Sequence, residues 1–418
     1  VEMCNNNGHC RKFDAGTMCP SFRVTRDEQH VTRGRANTLR LALSGQLPGG
    51  SDDDPLASDA VAAALDLCVG CKGCKRDCPT GVDMARMKIE ATARRKLRTG
   101  HSIADRLIAS LPELAPWLAH VPALANLRNR SPLLARLGER WLGLSAARSL
   151  PRWRSDSFAR IAPSLGLVDA NAALAAPKAA VLFVDTFNGA FESENAVAAV
   201  RVLQAAGYAV HVARRHGRAL CCGRTYLAAG MPERARAKAR KLLDALLPFA
   251  ARGIAIVGLE PSCLLTMRDE MLVMGLGADA QTLAAQALLF EEFVMREVRA
   301  GRFALDLKPV QAELLVHGHC HQKAFGAMSP VLEALRLIPG AQPRTIESSC
   351  CGMAGSFGYE AAHHEISMQM AELTLLPAVR SAPDACIVAD GTSCRHQIAD
   401  GSGREARHVA RVLADHLA

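Results

Sequence analysis

The chain has 418 residues, 49% of them hydrophobic, and carries a formal net charge of +9. This suffices for two or three domains with proper cores and excludes a disordered chain. No apolar run reaches membrane-spanning length and there is no signal-peptide pattern, while the spacing of the fifteen cysteines suits metal ligation in a reducing compartment better than a secreted disulfide framework. A cytoplasmic location is the expectation.

The first residue is Val1, and Cys4, a candidate ligand, sits almost at the terminus. A ligand so near a free end would fray, so the chain is expected to be part of a longer polypeptide. Residues 1–24 hold Cys4, Cys10 and then Cys19-Pro20. Residues 25–45 read as a helix, with Asp27 and Glu28 near its start and Gly45 as its stop. Residues 46–57, with Gly49-Gly50-Ser51-Asp52-Asp53-Asp54-Pro55, read as a loop. Ser58 can cap a short helix leading to Cys68, and Asp83 a basic helix ending near Gly100.

Between those helices lies Cys68-Val69-Gly70-Cys71-Lys72-Gly73-Cys74-Lys75-Arg76-Asp77-Cys78-Pro79. The spacing C-x2-C-x2-C-x3-C-P is that of bacterial ferredoxins. Three thiolates two residues apart can wrap one [4Fe-4S] cubane from a single loop, and Gly70 and Gly73 let that loop turn tightly. Zinc usually takes its ligands as two separated pairs instead. In crossed ligation Cys19 would complete the cluster of Cys68, Cys71 and Cys74, and Cys78 would join Cys4 and Cys10. Asn7 stands where that second site's middle cysteine would be. The second site then has three thiolates, for a [3Fe-4S] cluster, a [4Fe-4S] cluster with a non-cysteine ligand, or nothing.

From Arg86 to Arg154 there are fourteen Lys/Arg and four Asp/Glu, an excess of 14 − 4 = +10. Prolines break residues 101–160 into short helical pieces, and Trp117, Trp141 and Trp153 all lie there. Two readings stay open: peripheral contact with a membrane or partner, or a linker packed on its neighbours with arginines facing water. The broken periodicity favours the linker. No nucleic-acid partner is expected, because the stretch lacks a recognisable fold or stacking pattern.

Residues 178–300 and 309–418 repeat one plan: a strand, Cys-Cys-Gly, a helix, and a second strand running into a cysteine. The first copy has strands at 179–184 and 254–259, Cys221-Cys222-Gly223 and Cys263. The second has strands at 313–316 and 385–389, Cys350-Cys351-Gly352 and Cys394. The gaps from pair to single cysteine nearly agree, 263 − 221 = 42 and 394 − 350 = 44. Such repetition indicates duplication, and alternating strands and helices indicate two small parallel-sheet domains. The second copy adds Cys320, which gives it four thiolates. The first has three, with Asn188 near the place of Cys320. His317, His319 and His321 alternate, so on an extended segment they would share a face. They would either handle protons or metal, or shape the loop that holds Cys320, and the second is favoured. The glycines of 352–358 read as a tight turn rather than a phosphate loop. No G-x-G-x-x-G follows a strand, so nothing points to FAD or NAD held by this chain itself.

The architecture expected is α+β: a helical two-cluster ferredoxin-like domain (1–100), a basic linker (101–177) and two cysteine-rich repeats (178–308 and 309–418). Cys4 to Cys10, Thr17-Met18-Cys19-Pro20-Ser21-Phe22, Thr32-Arg33-Gly34-Arg35-Ala36-Asn37, His317–Lys323, Ser349–Glu360 and Asp390-Gly391-Thr392-Ser393-Cys394-Arg395 together resemble the iron–sulfur half of single-chain FAD-linked D-2-hydroxyacid dehydrogenases. The cysteine-rich part is similar also to the iron–sulfur subunits of glycolate oxidase and anaerobic glycerol-3-phosphate dehydrogenase, and to heterodisulfide reductase. The resemblance implies an upstream FAD domain, a D-lactate or D-2-hydroxyglutarate class substrate, and a quinone or carrier-protein acceptor. This chain would carry electrons without itself acting on substrate. An alternative is a zinc- or partner-binding module without redox turnover. Full cysteine-rich modules of this kind end in C-x-x-C, whereas Glu260 and Gly391 occupy the first of those places here, which argues against a five-thiolate noncubane cluster. A single metal site in the second repeat is the expectation.

Overall fold

The computed structural model describes residues 1–13, 16–47, 54–215 and 217–418. The fold is α+β, as expected. Helices of the N-terminal part are Pro20–Thr25, Thr32–Leu43, Asp59–Asp66, Gly73–Asp77 and Met84–Thr99. The Ser58 side chain accepts from the Val61 N–H and the Asp83 side chain from the Arg86 N–H, so both expected caps form. The helix expected over 25–45 starts only at Thr32. Asp27 caps a separate 3-10 turn, Glu28–His30, and Val31 is extended. That turn folds back so closely that a Cβ on Gly34 would lie 1.9 Å from the Glu28 carbonyl oxygen. Gly49 to Asp53 of the expected loop lie outside the described residues.

Val31, Ala36, Leu39, Val61, Leu65, Val82 and Met84 pack with Cys4, Cys10, Cys19 and Cys74 into one core. The thiols are therefore part of the apolar interior. Arg35 is buried among them and donates to the Ala64 carbonyl (2.9 Å) and the Ser21 hydroxyl (2.8 Å).

The basic stretch forms short helices, Ile103–Ala109, Leu111–Leu118, Pro122–Ala125, Leu127–Arg130 and Pro132–Leu142. It then leads into two sheets. The first holds β1 (Ala179–Phe183), β2 (Ala209–His211), β3 (Ala255–Gly258) and β4 (Ala287–Leu289), in the order β2-β1-β3-β4. The second holds β5 (Leu314–Val316), β6 (Pro343–Thr345), β7 (Cys386–Val388) and β8 (Ala406–Arg407), in the order β6-β5-β7-β8. Within the two sheets every pairing among the described residues is parallel. β3 and β5 are buried throughout, which is why these strands read as unbroken apolar runs.

The two repeats share a core. Leu182, Val257 and Leu203 of the first join Leu314, Val316, Val409 and Leu413 of the second. Each such side chain contributes about 1.5–3 kcal/mol by leaving water. The effect is to fix the two repeats, and the loops at the carboxyl ends of their strands, against each other. None of the described helices is long and apolar enough to cross a membrane.

Candidate metal centres

Cys19, Cys68, Cys71 and Cys74 line one small cavity together with Gly70, Thr32, Arg35 and Met84. Cys78 does not line it. Gly70 sits at φ 58° in open space, so its role is conformational. Gly73 is needed for room: a Cβ there would lie 2.9 Å from the Met18 nitrogen. That close approach brings Cys19 up to the loop. Asp77 tightens it by accepting from the Thr17 and Met18 N–H groups (2.7 and 3.1 Å).

Burial pushes the Cys19, Cys71 and Cys74 thiols upward, and neighbouring thiols add to the shift. Three thiols shifted in this way ionise together only beside compensating positive charge, which iron supplies. The donor set therefore fits a cluster.

Cys78 is different. Burial pushes it up, but the Thr80 hydroxyl (3.2 Å) and the Val82, Thr80 and Gly81 N–H groups outweigh burial and lower it. Its thiol is eased toward ionisation, and it lies outside the first cavity. A Cβ on Gly81 would lie 3.6 Å from the Met3 methyl, so the Cys78 turn borders the Cys4 segment. Cys10 is pushed up to about 11, chiefly by burial. Asn7 is exposed and bonded to Asn5.

In the second repeat Cys350 contacts Cys320 and Cys351, and Cys351 contacts Cys394 and His317. One ligand atom each from His317, Cys351 and Cys394 lie within 4.8 Å of one another. The Cys350 contact pulls Cys320 down to about 7, and contacts with Cys350, Cys394 and His317 lower Cys351. Lys323 stands beside these thiols and donates to the Ser348 carbonyl (2.5 Å) and the Ser349 carbonyl (3.1 Å). Among the described residues, buried His317 Nε2 meets no nitrogen or oxygen partner and has the Cys351 thiol as its neighbour. Soft donors, a nearby cation and a buried imidazole nitrogen fit a metal centre.

The first repeat fits one poorly. Cys222 contacts Cys221 and Cys263, but no fourth thiol joins them. The Cys222 contact lowers Cys263, yet burial and the Asp185 and Glu260 carboxylates push it up to about 11. Carboxylates beside these thiols, in contrast to the lysine beside those of the second repeat, discourage thiolates.

Matching the registers Ala180–Ala255 and Leu314–Cys386, and Cys263 with Cys394, sets Phe183 against His317 and Thr186 against Cys320. Asp185 then matches His319, and both cap the helix that follows. Asn188 matches Gln322, so the residue at the place of Cys320 is Thr186, two positions earlier than expected. The sequence conceals this because neither Phe183 nor Thr186 looks like a lost ligand.

The three histidines do not share a face, because a helix begins at Cys320. His317 faces Cys351, His319 lies against Gly391, and His321 Nε2 approaches the Gly70 carbonyl (3.1 Å). A Cβ on Gly391 would lie 2.2 Å from the His319 ring. The ring thus fills the place where a C-x-x-C cysteine would project. Glu260, at the matching place in the first repeat, is buried and accepts from the Thr392 N–H (2.8 Å), tying the repeats together. Both Cys-Cys-Gly glycines sit at φ 87°, with Ala235 O at 2.7 Å and Ser367 O at 2.3 Å from a built Cβ. No other residue fits.

The sites meet. Cys71 packs in the same cluster as Cys350, Cys351 and Cys394, with Cys320 against it. Lys72, buried in the loop, pairs with Asp269 and with Glu270 (2.6 Å), and Arg224 also reaches Glu270 (2.5 Å).

Residues 1–82 match the 4Fe-4S dicluster domain family, and residues 185–268 and 314–399 each match the cysteine-rich domain family. The chain is a 4Fe-4S dicluster domain followed by two cysteine-rich domains. It is therefore an iron–sulfur protein. It is 26% identical to D-2-hydroxyglutarate dehydrogenase of Escherichia coli over 452 residues, covering 99% of this chain and 43% of that protein. It is 24% identical to the glycolate oxidase iron–sulfur subunit of Escherichia coli over 430 residues, covering 100% and 94%. With a subunit of the anaerobic glycerol-3-phosphate dehydrogenase of Escherichia coli it shares 27% identity over 220 residues, covering 52% and 54%. The chain spans less than half the length of the D-2-hydroxyglutarate dehydrogenases it matches. No solved structure matches it significantly. The dicluster and cysteine-rich domains point to iron–sulfur electron transfer.

Proposed function

We propose that this chain is the electron-relay part of an FAD-linked D-2-hydroxyacid dehydrogenase, with D-2-hydroxyglutarate the favoured substrate. The flavin belongs to a domain outside these residues, and the acceptor is a quinone or a carrier protein. The observation that carries the reading is the packing of Cys71 against the second cysteine-rich domain, which puts two thiolate clusters side by side. Cys19, Cys68, Cys71 and Cys74 would hold one [4Fe-4S] cluster, and Cys4, Cys10 and Cys78 part of a second. Cys320, Cys350, Cys351 and Cys394 would hold a further centre, whereas Cys221, Cys222 and Cys263 form a residual site. When bound, iron–sulfur centres supply one-electron redox capacity. The protein's own part is to bury the thiolates and to place cations beside them: Lys88, which donates to the Cys68 carbonyl (2.7 Å), and Lys323.

Anaerobic purification with iron, sulfide and zinc analysis, and EPR after dithionite, tests this. Cys71→Ala should abolish a low-potential cubane signal and leave metal in the second cysteine-rich domain. Zinc without iron would favour a binding module instead and end the relay reading.

The basic segment gains a sharper assignment. Trp117 and Trp141 are 74% and 76% exposed. Leu133, Leu137 and Trp141, four residues apart on one helix, are all exposed beside Arg136 and Arg140. Trp153 instead packs on Phe191, ring centroids 4.6 Å apart. We assign residues 111–142 to peripheral contact with an anionic membrane surface, near which a quinone would be met.

A further inference from the structure

We infer that His317 is a nitrogen ligand of the metal centre in the second cysteine-rich domain, its Nε2 joining the thiolates of Cys351 and Cys394. The inference rests on the reading that this domain holds metal, and it goes beyond the four-thiolate site by naming a fifth donor of another element.

The hydrogen bonds around the ring set its tautomer. Nδ1 lies 2.9 Å from the Ser348 hydroxyl oxygen. That hydroxyl donates to the Ile346 carbonyl (3.4 Å) and accepts from Lys323 Nζ (3.3 Å). With its proton turned to the Ile346 carbonyl, the hydroxyl accepts from Nδ1–H. The lone pair is then on Nε2, which is buried and has the Cys351 and Cys394 thiols as its neighbours. A ligating histidine characteristically anchors its other ring nitrogen in this way. The backbone is fixed too: the His317 N–H donates to the Val388 carbonyl (2.8 Å), at the end of β7. The ring is therefore aimed by strand pairing at the two thiols it faces.

Two comparisons inside the chain agree. The first repeat, which lacks the fourth thiol, has Phe183 at this position, so nitrogen and thiol are absent together. The C-x-x-C place at Gly391 is closed by the His319 ring, and His317 supplies a donor where that cysteine cannot. Imidazole in place of thiolate leaves a centre less negative and raises its potential.

The test uses the full chain, purified without oxygen, from cells fed 14N- or 15N-histidine. Electron spin-echo modulation of the reduced centre should show a histidine nitrogen coupling that responds to the label. The coupling should vanish in His317→Phe, the residue the first repeat carries, with the dicluster signals unchanged. If the metal is zinc, imidazole scattering at the zinc X-ray edge should vanish in the same variant. Release of this metal to a chelator should speed by on the order of tenfold or more. Thermal melting of the variant distinguishes ligand loss from misfolding, and His317→Cys should hold metal at a lower potential. Metal in this domain with no histidine coupling, or equal retention by His317→Phe, overturns the inference alone. A Cys350→Ser/Cys351→Ser variant with unchanged iron, sulfide and zinc would overturn the reading beneath it.

Discussion

Lys72→Met tests the junction between the dicluster loop and the first cysteine-rich domain. The Lys72 side chain is buried, as are the Asp269 and Glu270 side chains it pairs with. Removing one partner of a buried ion pair costs about 3–5 kcal/mol, because the other charge stays desolvated. Here Asp269 keeps Lys75 (2.8 Å) and Arg86, and Glu270 keeps Arg224, so the lower end, about 3 kcal/mol, is expected. Lys72 sits at φ 59°, but lysine and methionine share that backbone cost and it cancels. Native-state hydrogen exchange of the cluster loop, read anaerobically, is the assay. An opening free energy lower by about 3 kcal/mol means exchange faster by about two powers of ten. Lys75→Met, at a side chain 35% exposed, is the control and should cost about 1 kcal/mol or less. Equal effects from the two variants, both under about 1 kcal/mol, would refute the claim that this buried charge cluster anchors the loop.

Gly352→Ala combines a left-handed backbone penalty of about 1–2 kcal/mol with a Cβ 2.3 Å from Ser367 O, and should strip metal from the second cysteine-rich domain. Gly355→Ala, at φ 68° with open space, should bear the backbone penalty alone, and equal melting shifts in the two would contradict this account. Burial lowers His363, but Asp66 (3.0 Å) and Glu360 (2.8 Å) outweigh it and raise it to about 9. A raised histidine stabilises fully below its unfolded value near 6.5, and the contribution fades as pH climbs through 9. Because Asp66 is half exposed, on the order of 1–2 kcal/mol should be lost between pH 6 and 9.5, and His363→Gln should flatten that difference in melting curves. Trp117→Ala/Trp141→Ala should weaken co-sedimentation with anionic vesicles at low salt, while wild-type protein that stays in the supernatant would end the membrane assignment.

Much of the fold was legible because it depends on local chemistry. Ser58 and Asp83 announce their helices by capping them, and the apolar runs of β1 and β3 announce buried parallel strands. The ferredoxin spacing points to its loop for a similar reason: three of the cysteines that line one cavity lie within seven residues. What stayed hidden is relational. The break before Thr32 follows from the Glu28 turn lying across Gly34, a contact periodicity cannot register. The histidines seemed to alternate on a strand because nothing before Cys320 marks the helix start; the cap is His319 itself. The place of Cys320 in the first repeat was misjudged by two residues because only strand register fixes it.

That register also suggests why the two cysteine-rich domains diverged. In the second, Gly391 leaves room for the His319 ring, and Lys323 faces the thiols. In the first, Glu260 takes the corresponding place and turns toward the Thr392 N–H across the domain boundary. A carboxylate used this way opposes thiolates at Cys263, so one residue cannot serve both the metal and the interface. Nearby, Glu192 of the first domain binds Arg395 (2.6 Å) and the Thr392 hydroxyl (2.6 Å). The first domain thus gives its polar groups to holding the helix that carries Cys394. The four close thiols thus fall in one copy, and the carboxylates that brace their helix, Glu192 and Glu260, in the other.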